Sequence, residues 1–267
     1  GLKNRLGTGF RLAGRSLGVL RAHPRLAVFP VIAALGVVAF LAVVVGGLAI
    51  ASGIESPILV LAVLALAIGG PSFITALANA ALVHATREVF EGRDPDLWRS
   101  LRAAFSHWPQ LLGWALLSVI VGTILRSVEE SSGVAGSVVA ALLSMGWAAL
   151  TYFVVPIIVF EDAPVRSMVQ DSGRLFKDTW GETAGTEFGV GAVTFLLVLP
   201  GIIVGALGFL LASTPTGTAL ALLLGGIVAV PGLIAGATLG DIAKVALYRF
   251  AHDGTAPEEF SDLDLLS

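Results

Sequence analysis

The chain has 267 residues, of which 56% are hydrophobic and 13% charged, with a mean hydropathy of +0.90. Soluble globular domains carry about a quarter charged residues, so this sequence lacks the polar surface to face water on every side. The formal net charge of −3 excludes nothing by itself, whereas the lack of cysteine excludes disulfides and thiolate metal sites.

The first segment is basic, with Lys3, Arg5, Arg11, Arg15, Arg21 and Arg25. Phe10, Ala13, Leu17 and Leu20 form a loose apolar stripe in it, against Arg11 and Arg15. A basic start before apolar sequence has the outline of a signal peptide. The apolar stretch is far longer than a signal core and has no small-residue cleavage site after a short one, so a retained span is expected. Stretches free of Asp, Glu, Lys and Arg then cover 26–54, 56–86, 103–125, 131–160 and 188–240. A membrane span needs about 20 apolar residues at ~1.5 Å rise each. The first four stretches hold one helix each; the fifth is too long for one and is divided by the turn cluster Ser213-Thr214-Pro215-Thr216-Gly217. The predicted spans are 26–51, 57–84, 109–126, 134–160, 188–212 and 217–240, followed by an acidic tail at 251–267. The fold expected is all-α: one polytopic transmembrane bundle, six spans arranged as three hairpins.

The connecting segments on one side are amphipathic. Leu97, Trp98, Leu101, Ala104, Phe105 and Trp108 share a face, with Arg99, Arg102 and Ser106 opposite. Further on, Val165, Met168, Val169, Ser172 and Phe176 make a stripe, and Arg166, Arg174 and Lys177 face away. Asp94-Pro95 and Asp162-Ala163-Pro164 supply a cap followed by a first-turn proline. An apolar stripe, a cationic face and tryptophan together predict helices lying in the headgroup plane. An aromatic end, an acidic turn and a proline recur at Phe90 to Pro95, Phe160 to Pro164 and Phe250 to Pro257. Three copies of interfacial helix plus hairpin are inferred, with the start of a fourth at Phe260, Leu263 and Leu266.

Cations set the expected orientation. Fifteen of the 16 Lys and Arg lie in the terminal segments and the two amphipathic connections, and one, Arg126, lies on the other side. The positive-inside rule then puts both termini in the cytoplasm, in a multi-pass protein of the plasma membrane. The outer loops are short, at about 52–57, 126–133 and 213–217.

No catalytic constellation is present, and the protein is not expected to be an enzyme. His23, His84, His107 and His252 are spread over separate segments, and no phosphate-binding or hydrolase motif occurs. No cofactor, metal or nucleic-acid partner is expected; the lipid bilayer is the expected partner, and homo-oligomerisation is left open. Between their boundaries, where Arg126 ends the third, the predicted spans contain no charged residue, which argues against proton coupling. They do contain proline, at Pro71, Pro156, Pro200 and Pro231, and each removes a helical hydrogen bond. Freed carbonyls at membrane depth need protein or cavity water. Ser72, Thr75 and Asn79 form a polar stripe beside Pro71, and Asn79 is the most polar side chain well inside any span. Ser144, Thr151 and Tyr152 offer a weaker counterpart beside Pro156. The candidate pathway residues are therefore Pro71, Ser72, Thr75, Asn79, Thr151, Tyr152 and Pro156; ordinary helix packing is the competing reading. Gly232, Gly236 and Gly240 predict a smooth face for a helix–helix contact.

Phe29-Pro30, Asn79-Ala80-Ala81-Leu82-Val83, the segment from Leu112 to Ser118, Phe153-Val154-Val155-Pro156 and Thr179-Trp180-Gly181-Glu182 carry a resemblance over nearly the whole chain. The sequence resembles a family of six-helix integral membrane proteins of unknown function found in archaea and bacteria. The resemblance implies the fold and topology and carries no activity or site residues. Two functions fit these features: channel-like or facilitative passage of a small solute or ion, and a structural or accessory role organising lipid or a partner protein.

Overall fold

The computed structural model describes residues 2–50, 56–131, 133–212, 214–254 and 257–260. Among them the backbone forms ten α-helices and no strand. Helix α1 (Leu2–Ala22) leads through a 3-10 turn (Pro24–Ala27) into α2 (Val28–Ile50). Next come α3 (Pro57–Phe90), α4 (Leu97–Ser106), α5 (Trp108–Ser131), α6 (Gly133–Thr151), α7 (Val154–Glu161) and α8 (Val165–Asp178). The chain continues through α9 (Trp180–Leu211) and α10 (Pro215–Asp253) to a 3-10 turn at Glu258–Phe260. Residues 52–55 of the predicted loop at 52–57, Ser132 of the loop at 126–133, Ser213 of the turn cluster, and Leu263 and Leu266 of the predicted fourth repeat lie outside the described residues, as does most of the acidic tail.

Six segments are long and apolar enough to cross a membrane: Pro24–Leu48, Ala62–Phe90, Trp108–Glu130, Gly133–Glu161, Trp180–Leu211 and Pro215–Asp253. Their large apolar side chains point outward: Leu35, Val43, Leu142, Leu210 and Leu223 are all exposed. Water would oppose such a surface, and hydrocarbon suits it. This is the architecture of a multi-pass membrane protein.

Helix ends depart from the predicted spans for local reasons. The last helix runs to Asp253 rather than 240 because residues 241–253 contain neither proline nor glycine. Charge ends an apolar run without ending a helix, and propagation is cheap once a helix exists. It stops where Gly254 adopts φ +69° and its N–H bonds back to Phe250 O at 3.0 Å. At the other end of the pair, α9 starts at Trp180 instead of 188, with Glu182 in its first turn. Helix α5 continues through Arg126 to Ser131, so most of the predicted 126–133 loop is helical. The predicted span 134–160 is broken at Tyr152 and Phe153, between α6 and α7. Pro156 has no N–H for the Tyr152 carbonyl, so the helix stops and restarts with Pro156 in the first turn of α7.

The chain divides into two compact units. One comprises Gly1–Ala27, Val89–Arg93 and Thr179–Ser267; the other comprises Val28–Glu88 and Asp94–Asp178.

In the first unit α9 and α10 pack backbone against backbone. A methyl group on Gly225 would sit 2.6 Å from the Gly205 Cα, and one on Gly232 would sit 2.6 Å from Leu197 O. Small residues allow this approach, and dispersion between the close backbones stabilises it where lipid competes for every apolar side chain. The Gly232, Gly236 and Gly240 face meets Leu197, Thr194 and Val190 of α9, a helix–helix contact as its spacing indicates. Helix α1 lies along α9 and buries Leu12, Ala13, Ser16, Val19 and Leu20. That face is rotated from the predicted stripe: Phe10 is 46% exposed and meets Phe188 edge-on at 5.9 Å.

In the second unit α8 packs on α6 and α7. Met168 and Ser172 are fully buried, and the Ser172 hydroxyl accepts the Phe153 N–H at 2.9 Å, at the break between α6 and α7. Helix α4 has three faces. Ser100 and Ala104 are buried against protein, Trp98 and Phe105 are 77% and 55% exposed, and Arg99 and Arg102 are exposed beside them. Its start is stapled to the end of α3. The buried Glu88 carboxylate accepts from Arg99 Nε and from the Asp96 N–H at 3.3 Å, while Asp96 Oδ1 caps the Arg99 N–H at 2.7 Å. The Glu88 hydrogen bond holds the Arg99 guanidinium above its ordinary pKa.

Candidate functional site

In the second unit α3 carries Pro71 without interruption. Proline leaves the carbonyl one turn earlier without its helical donor. One residue on, the Ser72 hydroxyl donates to Ile68 O at 3.0 Å. Two glycines bring α2 close to this part of α3. A methyl on Gly36 would lie 3.2 Å from Ile74, and one on Gly70 would overlap the Phe40 ring.

Beside the proline, on the Ser72–Thr75–Asn79 face, is an open-sided cavity of about 360 Å³. Pro71, Ser72, Thr75, Ala76 and Asn79 of α3 form one wall; Val37 of α2, Trp114 of α5 and Val155 of α7 complete it. The volume lies at the small end of the range for small-molecule sites, about 300–1,000 Å³. No charged side chain lines it. Asn79 is half-buried, and among the described residues its carboxamide has no hydrogen-bond partner. A carboxamide offers two donors and an acceptor, so this cavity presents both polarities at one point. The Ser72 hydroxyl, already donating, keeps acceptor capacity, and the Thr75 side chain is exposed. Trp114 supplies an aromatic wall and stacks on Trp147 at 6.0 Å and 21°.

Four of the seven candidate pathway residues thus share one cavity, and three do not. The Thr151 hydroxyl donates to Trp147 O at 2.7 Å. Tyr152 packs edge-on against Phe153 and Phe176, with ring centroids at 4.8 and 6.0 Å. Pro156 is buried in α7. From this part of the chain the cavity receives Val155 instead. Sequence reasoning missed Trp114, Val37 and Val155; an aromatic residue within a span is a weak signal, and the two valines gave none.

The remaining polar groups are dispersed. His107 approaches Asp162 at 3.7 Å and His252 approaches Asp253 at 2.9 Å. Among the described residues no three His, Cys, Asp or Glu converge as metal ligands. Since α9 and α10 outrun the predicted spans, Glu182, Glu187, Asp241 and Lys244 lie on the same continuous helices as the apolar stretches, with Asp241 and Lys244 paired at 3.3 Å. These helices therefore carry charge, which the shorter predicted spans had left outside.

No curated protein and no solved structure matches the chain. Residues 59–258 match a family of unknown function (DUF6159), and the chain, with its six long apolar helices, belongs to that family.

Proposed function

We propose that this is a plasma-membrane protein, with both termini cytoplasmic, that lets a small uncharged polar solute pass by way of the Asn79 cavity. The observation that carries the reading is a carboxamide with no hydrogen-bond partner among the described residues, in a charge-free, proline-flanked cavity. Ions are the poorer fit. Stripping an ion of water requires opposite charge or a ring of carbonyls, and this cavity offers one amide, two hydroxyls and an indole. A neutral solute with a donor and an acceptor loses far less on entry. The orientation rests on the cation asymmetry. In this reading the protein is not an enzyme and needs no cofactor.

A second reading has its own support: the exposed Trp98 and Phe105 beside Arg102 suit a helix that organises lipid or a partner protein at the membrane surface. Proteoliposome flux separates the two. The unmutated protein should pass a small neutral polar solute faster than any monovalent ion, and Asn79→Leu should abolish that flux with little change in melting temperature. No flux of any solute with the unmutated protein would favour the surface role. Unchanged flux with a stability loss of about 0.6 kcal/mol in Asn79→Leu would make Asn79 interhelical glue.

A further inference from the structure

A second cavity of the second unit, about 280 Å³, lies between the last turns of α5 and the first half of α6. Arg126 and Glu129 of α5 and Ser137 and Ser144 of α6 line it, over an open floor at Gly122, where a methyl would meet nothing within 4 Å. Among the described residues neither charge has a hydrogen bond or an ion pair. Along α5, Trp114, Ser118, Gly122 and Arg126 follow one another at intervals of four residues, about 6 Å each. Trp114 lines the Asn79 cavity, Gly122 and Arg126 line this one, and Ser118 lies between. On α6 the order is reversed: Trp147, stacked on Trp114, is three residues from Ser144 of the second cavity. The step from one cavity to the other is thus occupied by the tryptophan pair and Ser118.

The hydroxyls of Ser72, Thr123, Ser137 and Thr151 each donate to the carbonyl four residues back, the usual outlet for a hydroxyl inside a helix. The Ser118 oxygen is buried and has no hydrogen-bond partner among the described residues. A buried hydroxyl left unpaired destabilises a fold, so alanine would serve packing better at this position.

We propose, building on the passage reading above, that this second cavity is the outer mouth of the route through the Asn79 cavity, and that Ser118 hydrogen-bonds the solute as it passes the Trp114–Trp147 stack. The solute class is then a small neutral amide or urea, which carries donors and an acceptor together. The guanidinium donates to it, the carboxylate accepts from it, and the Asn79 carboxamide does both. The opposite charges of Arg126 and Glu129 cancel, so the mouth concentrates neither cations nor anions.

The test uses the full chain in intact cells, where a small impermeant methanethiosulfonate meets only the outer face. The chain has no cysteine of its own, so each introduced one is read by mass on the purified protein. Ser144→Cys and Asn79→Cys should both react, and faster than Leu142→Cys, which is 63% exposed on the apolar surface of α6. Adding Ser118→Leu should slow the labelling of Asn79→Cys about tenfold, the rate cost of crossing one step without its polar contact. Ser144→Leu should do the same from the mouth; Ser144 is exposed, so this variant keeps the test alive if Ser118→Leu fails to fold. Ser118→Ala should leave the melting temperature unchanged or higher, since no hydrogen bond is lost, while urea flux into proteoliposomes falls. Labelling of Asn79→Cys only after lysis would leave its cavity hydrated and overturn the mouth. Labelling under neither condition would overturn the passage reading, and the mouth with it. Unchanged labelling in both leucine variants, or a lower melting temperature in Ser118→Ala, would overturn the role of Ser118.

Discussion

At the break between α6 and α7 the buried Ser172 hydroxyl accepts the Phe153 backbone N–H at 2.9 Å. Ser172→Ala removes little volume but takes a hydrogen-bond acceptor from a buried N–H. It should therefore destabilise the protein by about 1–3 kcal/mol, read as a lower melting temperature in detergent with solute flux preserved. Asn79 is the opposite case, a polar group the fold leaves unpartnered among the described residues. The Ser72–Thr75–Asn79 face was legible in the sequence because helical periodicity alone puts positions i, i+3 and i+7 together. Thr151, Tyr152 and Pro156 do not line the Asn79 cavity: the helix stops after Thr151 and restarts at Val154, so their side chains do not share one helical face with it. Trp114 and Val155 reach the cavity through tertiary packing, which single-helix patterns do not encode.

At the level of elements, α4 and α8 share one sequence pattern and meet different surroundings. The stripe of α8 buries Met168 and Ser172 against protein, whereas that of α4 leaves Trp98 and Phe105 uncovered. Apolar periodicity marks a face that avoids water without saying whether lipid or another helix covers it. Phe105→Asp puts a charge on the exposed apolar face of α4 and should sharply lower the yield of folded protein extracted from membranes. Arg102→Asp, on the adjoining polar face, should be milder, losing about 1 kcal/mol of attraction to anionic lipid. Equal yields from the two variants would mean that α4 does not lie in the interface. The ends of α9 and α10 were the least legible features. Hydropathy locates the boundary with lipid, and these helices continue beyond it through Glu182, Glu187, Asp241 and Lys244.

For the whole molecule, six apolar helices were legible because a lipid span needs an unbroken apolar run that few other structures tolerate. The grouping of α1 with α9 and α10 in one compact unit was not, since α1 is far from them in sequence and buries a face, Leu12, Ala13, Ser16, Val19 and Leu20, that its apolar pattern marks only loosely. Orientation can be read by single cysteine substitutions, because the chain has no cysteine of its own. Thr216→Cys, exposed at the start of α10, should react with an impermeant thiol reagent in intact cells. Ser106→Cys, exposed at the end of α4, should react only after lysis; Ser100 is buried and would report poorly in that role. Labelling of Ser106→Cys in intact cells would reverse the topology. The same chemistry tests most directly whether the Asn79 cavity holds water. The reactive species is the thiolate, which forms far more readily in water than in hydrocarbon. A hydrated cavity predicts that a small hydrophilic thiol reagent modifies Asn79→Cys in proteoliposomes much faster than Leu116→Cys, which is 52% exposed on the apolar surface of α5. Equally slow reaction at the two positions would contradict a water-filled solute site.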